Sequence, residues 1–137
     1  MRDEFEILKP NIFPENKIIS GVTKRNRDLF PETGFSISNG NILTDEQVSK
    51  HRKYLSDYLG YDLENLKFQK QVHKTDIQIV NKDTPSGIET DGMITNEKGI
   101  ILNITIADCT AILVYDPLKK GVGAFHSGWR GTKENIA

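Results

Sequence analysis

Apolar and polar positions alternate in short bursts along most of the chain, and one stretch repeats with helical spacing. Over residues 44–59, Val48, Leu55, Tyr58 and Leu59, with Arg52 among them, fall on one face of a helix. Thr44 and Gln47 have the three-residue spacing of a capping box, and Gly60 supplies a stop. His51 lies on the edge of that stripe and reads as a packing residue rather than a ligand. Before the helix, residues 1–43 read as extended pieces separated by turns, with strands expected at 18–23 and 35–38. The polar run Lys24-Arg25-Asn26-Arg27-Asp28 between them reads as a solvated loop.

Beyond the helix the period changes to two. Leu66, Phe68 and Lys70 alternate with Lys67, Gln69 and Gln71, and Ile77 and Ile79 alternate with Gln78 and Val80. Residues 83–87 read as a turn and 93–95 as a short apolar segment. Residues 99–106 are β-branched enough to predict a central strand. Residues 111–115 and 122–125 predict two strands joined by the turn at 116–121. A helix is expected to begin where the chain stops, near Lys133. No repeat or linker divides this pattern. It predicts one α+β domain over residues 1–137, with mixed or antiparallel sheets and flanking helices.

Composition narrows the function classes. The 137 residues are 36% hydrophobic and 27% charged, with a net charge of −1. That supports one modest core and gives no electrostatic footprint for nucleic acid or an anionic membrane. No signal peptide is visible at the start, and the longest apolar stretch is far too short to span a bilayer. A single cysteine excludes an internal disulfide and fits a soluble, cytoplasmic chain.

Three ligand-type side chains lie outside the helix: His73, Cys109 and His126. Their wide separations are unlike the tight spacing of a zinc finger. Each comes where the chain leaves a predicted strand, so neighbouring strands would gather all three at one rim. Three ligands leave a fourth tetrahedral position for water or substrate, the pattern of a catalytic metal site. Two other readings stay open: Cys109 as a small buried hydrophobe with two structural histidines, or a Cys109–His126 nucleophile and base with His73 as orienter. The stretch His126-Ser127-Gly128-Trp129-Arg130-Gly131-Thr132 offers backbone N–H groups beside Arg130, either an anion cradle or a simple turn. Asp108 or Asp76 would orient a histidine, and Asp91 reads equally well as a turn residue.

The blocks Gln71-Val72-His73-Lys74-Thr75-Asp76, Glu89-Thr90-Asp91-Gly92-Met93-Ile94-Thr95, Ala107-Asp108-Cys109 and His126-Ser127-Gly128-Trp129-Arg130-Gly131-Thr132 occur in that order. This closely resembles the YfiH-like family, also called the multicopper polyphenol oxidoreductase (laccase) or purine nucleoside phosphorylase family. The resemblance implies a YfiH-like, cysteine-hydrolase-like α+β fold with zinc held by His73, Cys109 and His126. It implies phosphorolysis of adenosine, inosine, guanosine and methylthioadenosine, with adenosine deamination, the purine nucleoside and phosphate being the partners. Cys109, His73, His126 and Arg130 would then be the catalytic residues. Copper-dependent polyphenol oxidation and thiol-dependent hydrolysis of peptidoglycan precursors are the family's alternative activities, and copper would be the alternative metal. Family members continue with a C-terminal half not present here. The resemblance therefore implies a domain truncated at its C-terminal side, an inactive fragment as a further alternative, and self-association or a partner to cover an exposed sheet edge.

Overall fold

The computed structural model describes residues 4–40 and 42–137, so the expectation of extended pieces over 1–43 falls outside the described residues at 1–3 and 41. The chain forms two compact units, one ending at Leu55 and one spanning Ser56–Ala137.

In the first unit, β1 (Ile7–Leu8) pairs antiparallel with β2 (Val22–Thr23). The strand expected at 18–23 thus contracts to its last two residues. Helix α1 (Asp45–Leu59) opens with the predicted capping box. Gln47 N–H donates to Thr44 Oγ1 at 3.2 Å, and Thr44 N–H donates to Gln47 Oε1 at 2.9 Å. Gly60 closes the helix at a φ of +72°. Val48 and Leu55 from the stripe are buried, whereas Tyr58 stays half exposed. Residues 35–38 are not a strand, although Phe35 and Ile37 are buried and Ser36 and Ser38 less so. Side chains of α1 serve this segment's main chain instead: the His51 ring lies 2.8 Å from the Ser36 carbonyl, and Arg52 donates twice to the Ile37 carbonyl. His51 stacks on Phe35 with ring centroids 5.3 Å apart, the packing role its position predicts.

The second unit holds two sheets. β3 (Leu66–Lys70) is flanked in parallel by β5 (Ile88–Glu89) and β7 (Ile101–Asn103). The second sheet runs β4 (Ile77–Ile79), β6 (Gly92–Thr95), β9 (Gly121–Ser127), β8 (Thr110–Asp116), with β4 parallel to β6 and the remaining pairs antiparallel. The predicted central strand at 99–106 is corrected by this topology: only Ile101–Asn103 pairs, at the edge of the three-stranded sheet. Beyond it the Gln71 side chain acts as a substitute strand. Thr105 N–H donates to Gln71 Oε1, and Gln71 Nε2 donates to the Thr105 carbonyl, both at 2.7 Å. Val80, Met93 and Ile100 form a buried cluster with Leu102 against it. By register, Met93, Ala124 and His126 share one face, and Ile77, Ile79, Ile94, Phe125, Ile112 and Val114 share the other.

On that second face Phe125 is buried because two glycines make room for its ring. A Cβ on Gly92 would stand 2.6 Å from Phe125 Cδ1, and one on Gly123 would stand 2.7 Å from Phe125 Cε2. Gly92→Ala is therefore expected to destabilise the chain by about 1–3 kcal/mol. Gly121→Ala, whose nearest neighbour would lie at 3.6 Å, should stay within about 0.5 kcal/mol. Equal thermal unfolding of the two variants would refute this account.

The β8–β9 turn is fixed by Asp116, whose Oδ1 accepts the N–H groups of Lys119 at 3.0 Å and Leu118 at 2.8 Å. These two bonds hold the Asp116 carboxyl below the usual carboxylate range. A carboxyl with a lowered folded pKa contributes stability above the unfolded value, about 3.9, and loses it as pH falls through the folded one. The Leu118 and Lys119 amide shifts, followed by NMR, should accordingly titrate with a midpoint below about 3.9. A midpoint at or above it would count against the turn assignment.

Candidate metal centre

The centre is built around a carboxylate that the sequence pattern left as a turn residue. Asp91 is fully buried, just before β6, and its surroundings fix it from both sides. The Asp76 carbonyl accepts the Thr90 hydroxyl at 2.6 Å and the N–H groups of Asp91 and Gly92 at 3.2 Å each. Oδ2 of Asp91 accepts Val72 N–H at 3.1 Å and Lys74 N–H at 2.8 Å, while Oδ1 accepts His73 N–H at 2.9 Å. Three consecutive amides thus wrap one carboxylate, and His73 takes a φ of +61°.

The fourth contact comes from β9. His126 Nδ1 lies 2.8 Å from Asp91 Oδ1, and the His126 main-chain N–H donates to the Asp91 carbonyl at 2.7 Å. Burial alone would push the Asp91 carboxyl up. The Lys74 amide, the His126 ring and the His73 and Val72 amides outweigh it and hold the carboxyl below its ordinary value. A carboxylate can only accept, so His126 Nδ1 carries the proton and Nε2 is the nitrogen free to act as a ligand.

Cys109 stands immediately before β8, where Thr110 pairs with Ser127. His73, Cys109 and His126 each place a ligand atom so that all three lie within 4.8 Å of one another. The His73 and His126 rings meet edge to face, centroids 4.8 Å apart. The predicted convergence is present, but its route differs from three neighbouring strands. Only β8 and β9 are neighbours, and His73 arrives on the loop that joins β3 of the other sheet to β4 of this one. Asp76 and Asp108, expected as orienters, are exposed, and Asp76 reaches the site through its main-chain carbonyl. No periodicity singles out Asp91; its one sequence signal is its position within the Glu89-to-Thr95 block.

The floor between His73 and Cys109 is Gly128. A Cβ there would lie 3.4 Å from His73 Cδ2 and 3.5 Å from Cys109 Sγ. The Thr132 hydroxyl and N–H both donate to the Gly128 carbonyl at 2.9 Å, and Ser127 Oγ lies 2.8 Å from Thr132 Oγ1. These bonds tie Gly128 to α2 (Trp129–Lys133), which begins earlier than the helix expected near Lys133 and is only five residues long. Arg130 is exposed on α2, its guanidinium 5.0 Å from the centre of the Trp129 ring.

The donor set fits a metal. A tetrahedral ion with bonds of about 2.0–2.3 Å sets its ligand atoms about 3.5 Å apart. The three atoms are at most about 1.3 Å wider than that.

Comparison with known proteins extends the assignment. The family model described as multi-copper polyphenol oxidoreductase laccase matches residues 22–137. Purine nucleoside phosphorylase YlmD of Bacillus subtilis is 33% identical over 131 residues, covering 88% of this chain and 47% of that protein. Purine nucleoside phosphorylase LACC1 of Homo sapiens is 28% identical over 142 residues, covering 100% of this chain and 32% of that protein. The crystal structure of YlmD from Geobacillus stearothermophilus superposes with a TM-score of 0.70 at 31% identity, over 77% of this chain and 43% of that one. The crystal structure of Bacillus licheniformis hypothetical protein YfiH gives the same TM-score, 0.70, at 28% identity, over 77% of this chain and 43% of that one. The chain spans half or less of the length of these relatives. A match over residues 22–137, together with a shared fold, makes this chain a member of the multi-copper polyphenol oxidoreductase laccase, or YfiH, family.

Proposed function

We propose that this chain carries the metal centre of a zinc-dependent purine nucleoside phosphorylase, within a laccase-type domain of which residues 1–137 are the N-terminal part. The observation that carries the metal reading is the convergence of His73, Cys109 and His126, with Asp91 behind His126. The names of the relatives supply the substrate class. Two imidazoles and one thiolate suit zinc. The third histidine, His51, packs on Phe35 and Phe30, so the described residues gather donors for one ion rather than several. Zinc bound there supplies a Lewis acid that polarises an oxygen of substrate or water.

The chain's own residues then do the positioning. Asp91 fixes the His126 ring, and Gly128 keeps the space between His73 and Cys109 open. The exposed Arg130 guanidinium is available to hold phosphate. Helix α2 is too short to add a dipole of consequence, so the anion role rests on that guanidinium. In phosphorolysis a phosphate oxygen bonds to the ribose C1′, the glycosidic C–N bond breaks and the base leaves with its electron pair. A cytoplasmic setting belongs to the same proposal, since it keeps the single thiol reduced.

The test is adenosine turnover by the zinc-loaded chain with and without phosphate, with adenine, ribose 1-phosphate and inosine separated by chromatography. Adenine and ribose 1-phosphate in equal amounts, dependent on phosphate, are expected; inosine would report the accompanying deamination. Absence of every product at stoichiometric zinc would overturn the proposal for this chain and favour an inactive fragment.

The Asp91–His126 pair also supports a second reading, a thiol hydrolase. There His126 Nε2 would take the Cys109 proton and sulfur would attack a carbonyl carbon, with Asp91 holding the base. It predicts hydrolytic activity in metal-free protein, lost on alkylation of Cys109.

A further inference from the structure

We infer that Asp91 is the positioning residue that orients two candidate ligands at once, His73 on the loop between β3 and β4 and His126 on β9. His73 rides on the loop after β3, and His126 is the penultimate residue of β9. β3 and β9 lie in different sheets, and the loop reaches the sheet of His126 through β4 and β6. The amides of the loop and the His126 ring meet on one carboxylate. An ionised carboxylate offers about four lone-pair sites, and all four directions are used: Val72, His73 and Lys74 N–H on one side, His126 Nδ1–H on the other.

Each half of this arrangement has its own consequence. The three converging amides give His73 its reason to hold a left-handed φ of +61°, a conformation that non-glycine residues seldom adopt. That conformation aims the His73 side chain at the group shared with Cys109 and His126. On the other side, Oδ1 selects the His126 tautomer with the proton on Nδ1, which leaves the Nε2 lone pair for a ligand bond.

The assignment makes Asp91→Asn informative, because an amide has one accepting end only. With its NH2 toward Val72 and Lys74, two backbone donors face a donor and the His73 loop is released. With its NH2 toward His73 and His126, the His126 Nδ1 must accept, the proton moves to Nε2 and the ligand lone pair is lost. Either orientation removes one histidine from the site.

The metal arm rests on the metal-centre reading above; the tautomer arm does not. In metal-free natural-sequence protein, long-range 15N NMR should show the neutral His126 ring with its proton on Nδ1 and Nε2 bare. A neutral ring with its proton on Nε2 instead would overturn the inference, whether or not any variant folds. In Asp91→Asn, zinc affinity by chelator competition should fall about ten- to hundredfold, and the visible bands of the cobalt-substituted protein should change. Ile100→Ala, in the core cluster but on neither β6 nor β9, is the stability control and should keep its zinc affinity. Asp91→Asn binding zinc as tightly as the natural sequence, or Ile100→Ala losing as much affinity, would overturn the positioning role. Failure of the natural chain to bind zinc sinks the metal reading alone, and the tautomer then decides Asp91 by itself.

Discussion

Cys109→Ala is expected to strip zinc from the chain with little effect on its folding. The thiol is only partly buried, and it stands at the mouth of β8 rather than in the core cluster of Val80, Met93 and Ile100. Removing it should therefore change stability by less than about 1 kcal/mol in the metal-free state. Its effect on binding is large because the described residues offer three ligands, and zinc affinities of roughly 10–16 kcal/mol are shared among so few bonds. Loss of one thiolate should weaken zinc by at least about a hundredfold. Elemental analysis and chelator competition measure this, and unfolding curves on metal-free protein supply the control. Phosphorolysis should disappear in parallel. Stoichiometric zinc in Cys109→Ala would remove Cys109 from the ligand set. Hydrolysis lost with zinc retained would instead favour the thiol reading.

The legible and illegible parts of this molecule divide by the range of the interactions that create them. The capping box of α1 and the β8–β9 hairpin come from residues a few positions apart, so spacing and turn chemistry predict them directly. Residues 35–38 show the alternation of a strand because alternate side chains are buried, but their main chain bonds to His51 and Arg52, fifteen residues on. Residues 99–106 are rich in β-branched side chains, yet the ladder stops at Asn103 because the Gln71 side chain takes over at Thr105. Pattern reports burial; it does not report who supplies the hydrogen bonds. Lys67 shows the same limit, placed by alternation on the polar side of β3 but buried with its ammonium on the Lys82 and Thr84 carbonyls.

The three candidate ligands could be named from the sequence by residue type and motif, while the seating of the His73 loop and the His126 ring depends on Asp91. That role is invisible to periodicity. A buried carboxylate held by three amides of one loop and a ring from a distant strand leaves no trace beyond one Asp beside a glycine.

Gly128 provides the sharpest spatial test of where the ion sits. Its backbone, φ −75° and ψ 177°, suits any residue, so a substitution acts through side-chain volume alone. A Cβ at 3.4 Å from the His73 ring and 3.5 Å from the Cys109 sulfur is an ordinary van der Waals contact. Gly128→Ala should accordingly fold normally and keep zinc affinity within about threefold, an effect of well under 1 kcal/mol. Further atoms along the same direction enter the space between the two ligands, and packed surroundings resist enlargement. Gly128→Leu should therefore lose about ten- to hundredfold in zinc affinity, comparable to disturbing an outer-shell partner. Its metal-free stability should fall by no more than about 1–3 kcal/mol. The graded pair separates a local block from general damage, since only a block makes affinity fall steeply between alanine and leucine. If Gly128→Leu bound zinc like the natural sequence, the ion would have to lie away from the His73–Cys109 gap, and the ligand set drawn from these three residues would fail with it.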